Sequence, residues 1–129
     1  MFNKISIIGC GLIGSSILRA VEEKKLAPKI SAYDKSSKVT DYLKKNFSAE
    51  ICSNISDVVK DSDLVVIASP LSSYKEILLS IQSNLKENVI LTDTGSAKKE
   101  VNKIVINLNL KNVNSVSYTH LTLPTMDSV

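Results

Sequence analysis

The chain has no tryptophan, and only 5% of its 129 residues are aromatic. Single-stranded nucleic acids stack their bases on such rings, so a binding platform of that kind is not expected. Cysteine is scarce: Cys10 and Cys52 fit no metal-ligand spacing, so no metal site is expected. Histidine occurs once, as His120. No stretch approaches the roughly 20 apolar residues that a membrane span needs. No secretory leader is read either, because "MFNKISIIGCGLIG" is broken by glycines before a long apolar run forms. Nor is charge of one sign concentrated. Net charge is +3, and the pairs Lys24-Lys25, Lys44-Lys45 and Lys98-Lys99 are separated by acids, as on solvated faces rather than along a nucleic-acid stripe. These absences point to a cytoplasmic protein with free thiols, no membrane partner and no nucleic-acid partner.

What is present is an ordinary globular composition, 43% hydrophobic and 22% charged, at a length that suits one domain better than two. Short apolar runs alternate with longer amphipathic ones. "KISIIG" is a β-branched run stopped at Gly9 and predicts a first strand. "LIGSSILRAVEEKK" carries Leu12, Ile13, Ile17, Leu18 and Val21 at helical spacing. "KISAYD" predicts a second strand ending at Asp34, and "SKVTDYLKKNF" a helix with Val39, Tyr42 and Leu43 on one face. "AEICS" predicts a short strand, and "SDVVKDS" about one helical turn capped by Ser56. "DLVVIAS" is continuously apolar, as in a strand buried on both faces. "SSYKEILLSIQSNL" has Tyr74, Ile77, Leu78, Ile81 and Leu85 at helical spacing. "NVILTD" predicts a fifth strand, "SAKKEVNKIVINLN" a last helix, and "KNVNSV" the start of a sixth strand. Strands alternating with helices imply a parallel sheet covered by helices on both faces.

Within this pattern lies "GCGLIG", from Gly9 through Cys10, Gly11, Leu12 and Ile13 to Gly14. A glycine pattern of this kind gains meaning when it follows a strand and opens a helix, as it does here. Gly9 would permit the tight turn, Gly11 the close approach of a pyrophosphate, and Gly14 the packing of helix near strand. The helix start would add free N–H groups and a positive dipole end. A purely structural strand-helix turn is the alternative. Asp34 ends the second strand where a carboxylate can accept from the ribose hydroxyls of an adenosine. A 2′-phosphate there would meet like charge, so Asp34 favours NAD over NADP, although Lys35, Ser36 and Ser37 could partly rescue a phosphate. A strand-ending turn aspartate is the alternative at that position. Two further motifs stand at predicted strand ends: Ser69 and Pro70 after the fourth, and Asp93, Thr94, Gly95, Ser96 and Lys98 after the fifth.

Taken together, "IIGCGLIGSSILRAV", "YDKS", "SDLVVIASP" and "LTDTGSAKKEV" resemble the N-terminal domain of prephenate/arogenate dehydrogenases. The likeness covers roughly residues 3–114, and the Asp-x-Gly-Ser-x-Lys element discriminates it from related β-hydroxyacid dehydrogenases. The resemblance implies a Rossmann-type α/β fold, a doubly wound parallel sheet, cut near its sixth strand and without the helical second domain. It implies NAD-dependent oxidative decarboxylation of prephenate to 4-hydroxyphenylpyruvate, or of arogenate to tyrosine. By it, Gly9, Gly11 and Gly14 hold the pyrophosphate, Cys10, Leu12 and Ile13 complete the cofactor-binding loop, Asp34 holds the ribose, and Ser69 and Pro70 line the cofactor cleft. Ser96 is the candidate catalytic residue, hydrogen-bonding near the reacting hydroxyl, while Lys98 caps local structure. The parent is expected to be a homodimer through the helical domain. Two alternatives stay open: another two-domain NAD(P) dehydrogenase of the 3-hydroxyacid or imino-acid reductase type, and a nucleotide-binding module without chemistry.

The family's catalytic base is a histidine followed by proline. His120 lies at about the right distance from Ser96, but Leu121 follows it and no glycine-containing loop comes after. The segment "VSYTHLTLPT", Val116 to Thr125, matches one reading frame of a common transposase-based sequencing adaptor. The expectation is therefore a dinucleotide-binding domain over 1–114 and a non-native tail over 115–129 with no reason to pack. His120 is not nominated as the base. The chain is expected to bind cofactor without turnover, and to expose apolar surface where the helical domain would dock.

Overall fold

The computed structural model describes residues 2–93 and 117–120. The alternation read from the sequence becomes β1 (Lys4–Ile8), α1 (Leu12–Glu23), β2 (Lys29–Tyr33), α2 (Ser37–Asn46), β3 (Glu50–Ile51), α3 (Ile55–Val58), β4 (Leu64–Ile67), α4 (Tyr74–Ile81), β5 (Ile90–Asp93) and β6 (Ser117–His120). Short 3-10 turns flank α4 at Leu71–Ser73 and Gln82–Asn84. The predicted last helix, over 96–109, lies outside the described residues.

All strands pair in parallel, in the order β3-β2-β1-β4-β5-β6. This is the Rossmann-type doubly wound sheet that was expected. Alternation along β1 and β4 divides the core into two layers. Ile5, Ile7 and Val66 pack with Ile17, Leu18 and Val21 of α1 and Leu43 of α2. Ile8, Val65 and Ile67 pack on the other face with Val58, Val59 and the α4 residues Tyr74, Ile77, Leu78 and Ile81. β4 is thus apolar throughout because helices cover both of its faces. Ser6 is the buried exception on β1, and its hydroxyl is satisfied by the Val58 carbonyl and the Ser62 hydroxyl.

Four details differ from the sequence reading. The cap of α3 is Asn54, whose side chain accepts from the Ser56 N–H at 2.7 Å, and not Ser56 itself. Leu12 has helical spacing but is 87% exposed, at the first residue of α1. Tyr42 also stays out of the core and meets Phe47 edge-to-face, with ring centroids 6.4 Å apart. Finally, a sixth strand, Ser117–His120, falls inside the segment expected to have no reason to pack, while its predicted start at 111–116 lies outside the described residues. It pairs along β5 from Ile90↔Ser117 to Asp93↔His120. An uncovered strand presents a row of main-chain donors and acceptors that a segment of almost any sequence can satisfy. The pairing therefore says nothing about the origin of the segment.

Candidate functional site

The strand order reverses between β1 and β4. The loops leaving these two strands part at that point, one toward each helical layer, and a crevice opens at the carboxyl ends of the strands. The glycine hexapeptide leaves β1 there, and Ala68-Ser69-Pro70 leaves β4.

Each glycine of the loop has a distinct steric reason. Gly9 has φ +89°, and a Cβ on it would crowd the Ser69 hydroxyl and lie 2.8 Å from the Ser69 nitrogen. Gly14 is buried against the loop itself: a Cβ would collide with the Gly9 carbonyl oxygen and reach Ala68 Cβ at 3.3 Å. Its packing partner is therefore the turn, more than the strand behind it. Gly11 differs from both, since a Cβ there would meet nothing within 4 Å. The space in front of Gly11 is open, and it adjoins the start of α1.

That helix start carries no side-chain cap and no acidic residue in its first turn. Its N–H groups and dipole are left to attract an anion. A close-approach glycine, open space and an uncapped helix start together fit the pyrophosphate of a dinucleotide.

The loop rests on the end of β2. Gly9 N–H donates to the Tyr33 carbonyl at 2.9 Å. Cys10 N–H donates to Asp34 Oδ1 at 2.8 Å, and Ser36 N–H to Asp34 Oδ2 at 2.9 Å. The structure thus brings Asp34 to the glycine loop, beside the cleft where the ribose reading requires it. Cys10 participates through its main chain. Its thiol is buried, donates to the Tyr33 carbonyl at 3.7 Å, and is pushed up to about 12 by burial and then by the nearby Asp34 charge. Such a thiol stays protonated and unreactive at neutral pH.

Across the cleft, Ser69 is half-buried and Pro70 exposed. Tyr74, buried on α4, donates from its hydroxyl to the Ile67 carbonyl at 3.2 Å and so holds the β4 exit in place. Tyr33 and Tyr74 were not read as site-supporting residues. Tyr33 supports the loop with a main-chain carbonyl, which leaves no mark in a sequence, and Tyr74 reads simply as a core position. Asp93 is fully buried at the end of β5. Ser96, Gly95 and Lys98 lie outside the described residues. His120 stands beside Asp93 by strand register.

Residues 4–97 match the family described as NADP oxidoreductase, coenzyme F420-dependent, and the chain belongs to it. It is 38% identical over 104 residues to a cyclohexadienyl dehydrogenase of Zymomonas mobilis, covering 80% of this chain and 36% of that protein. It is also 38% identical over 101 residues to an L-aspartate dehydrogenase of Methanocaldococcus jannaschii, covering 76% of this chain and 38% of that protein. The chain therefore spans little more than a third of these curated relatives. Among solved structures, prephenate dehydrogenase from A. aeolicus, in complex with hydroxyphenyl propionate and NAD+, superposes with TM-score 0.68 at 20% identity, covering 88% of this chain and 40% of that one. The resemblance read from the sequence motifs is borne out, and the fold is shared.

Proposed function

We propose that this member of the pyridine-nucleotide oxidoreductase family is the cofactor-binding part of a dehydrogenase that oxidatively decarboxylates prephenate or arogenate. The observation that carries the reading is the meeting of Gly9, Asp34 and Ser69 at the strand-order reversal, beside the open face of Gly11. The cyclohexadienyl dehydrogenase relative and the Asp93-to-Lys98 motif support the substrate class.

In this reading the uncapped start of α1 and the main chain at Gly11 bind the pyrophosphate. Asp34 accepts a hydroxyl of the adenosine ribose. Each of its oxygens uses one of two acceptor sites on a main-chain N–H and keeps the other. Its negative charge favours NAD over NADP. Ser69 and Pro70 wall the cleft on the β4 side. A nicotinamide nucleotide bound there supplies the hydride acceptor. Ser96 orients the reacting hydroxyl, and the proton-accepting histidine belongs to the part of the parent after residue 114. The parent is a cytoplasmic homodimer built through its helical domain, and residues 115–129 are a non-native tail. The chain by itself binds nucleotide without turnover.

Calorimetry of the chain with NAD and with NADP tests the cofactor half: selective NAD binding is expected, and failure to bind either nucleotide would sink it. The identity to an L-aspartate dehydrogenase favours a second reading, an amino-acid dehydrogenase. Turnover by the full-length parent with prephenate, arogenate and L-aspartate in parallel separates the two readings.

A further inference from the structure

Cys10 lies between two glycines, Gly9 and Gly11, so the loop has much conformational freedom of its own. A main chain of this kind holds one shape only if something outside it supplies the constraint. Gly9 N–H is held by the Tyr33 carbonyl at 2.9 Å. Cys10 N–H, one residue nearer the open space, is held by Asp34 Oδ1 at 2.8 Å, a charge-assisted bond. The other oxygen of the same carboxylate takes Ser36 N–H at 2.9 Å, at the entry to α2. Among the described residues Asp34 forms no ion pair, so these two main-chain N–H groups compensate its charge.

We propose that Asp34 is a positioning residue: its carboxylate holds the glycine loop in its binding shape before any ligand arrives and links that loop to the start of α2. The role is separate from reading the ribose. It rests on the proposed function only in taking the loop as the pyrophosphate site. It follows that the loop facing the pyrophosphate and the loop facing the adenosine end share one carboxylate, and disturbing either disturbs both.

The test uses the full chain, wild type, Asp34→Ala and Asp34→Asn, with two readouts. The first is amide hydrogen exchange without nucleotide. In Asp34→Ala the Cys10 amide is expected to exchange at least about tenfold faster, as for loss of a hydrogen bond to a charged group. The Gly9 amide, bonded to Tyr33, should change less. Asparagine has one acceptor oxygen, so Asp34→Asn should lose protection at Cys10 or at Ser36 while keeping the fold. This arm decides the matter if the alanine variant does not fold. The second readout is calorimetric affinity for NADH and for its analogue lacking both adenosine ribose hydroxyls. Asp34→Ala should bind the analogue at least about tenfold more weakly than wild type does. Equal affinity for the analogue, or unchanged exchange at Cys10 and Ser36, would show that Asp34 is only a ribose acceptor and overturn the proposal. If wild type binds no dinucleotide at all, the proposed function fails, and the exchange arm still decides the positioning role.

Discussion

The two ends of the sheet each use an aspartate to gather main-chain segments, and they do so differently. At the amino-terminal end, Asp63 accepts from Asn3 N–H at 2.5 Å and Lys4 N–H at 3.2 Å and forms an ion pair with Lys86. That end is electrostatically closed, because a cation already answers the carboxylate. Its turns carry side chains even in left-handed conformation, at Lys25, Asp61 and Asn88 with φ between 52° and 65°. At the carboxyl-terminal end, Asp34 has only N–H partners, α1 begins uncapped, and the left-handed position is Gly9. A glycine is required there because the Ser69 backbone stands where its Cβ would be. At one end the carboxylate is already paired with a cation. The other is held in shape but left with unanswered donors and open space, as a binding site must be.

The largest expected departure comes from crowding the open end. Gly14→Ala drives a methyl into the Gly9 carbonyl and should cost about 2–3 kcal/mol of stability, as overpacking does, together with nucleotide binding. Urea unfolding checks this, and a fully stable Gly14→Ala protein would contradict the close packing of loop and helix. Gly11→Ala separates binding from folding at the same loop. Its methyl points into free space, so unfolding should move by no more than about 0.5 kcal/mol. Calorimetry on that variant should nevertheless find dinucleotide affinity lost, and an unchanged Kd would remove the pyrophosphate from this face.

At the closed end the effects are smaller. The Lys86 ammonium and the Asn3 N–H hold the Asp63 carboxyl below its ordinary value of 3.8. A depressed carboxylate contributes stability that is present above that value and lost as pH falls through the depressed one. Wild type should therefore lose stability on acidification below about pH 4, and Asp63→Asn should show a flatter acid limb. Identical limbs would mean that the pair contributes nothing. The smallest change is a gain. Lys25, with φ 52° just past the end of α1, occupies a position that suits glycine. Lys25→Gly is expected to raise stability by about 0.5–1 kcal/mol in urea unfolding, with no effect on nucleotide affinity at the far end.

Much of this could be read directly from the amino acids. β1, β2, β4, β5 and the buried faces of α1 and α4 followed from periodicity, which is a local property. The misreadings arose where a side chain's surroundings, not its spacing, settled the outcome. Leu12 and Tyr42 fit helical stripes, yet no second surface covers them. Ser56 and Asn54 are both good caps, and the direction in which the chain enters α3 selected Asn54. The pairing of 117–120, inside the segment expected not to pack, uses main-chain groups that every residue carries. Ser96 and its neighbours stay a motif without geometry.

The alternation of strands and helices, the glycine spacing and the acid that ends the second strand all follow from the order of amino acids alone. These depend on side-chain size, φ preference and period over a few residues. That β4 lies against β1 while β2 lies on its other side is a property of the assembled fold. That order follows from the hand of the crossovers and the covering of both sheet faces, which no local segment encodes. The same long-range arrangement sets Ser69 against Gly9, leaves Gly11 facing open space, and turns Asp34 from a ribose acceptor in a motif into the anchor of the loop beside it.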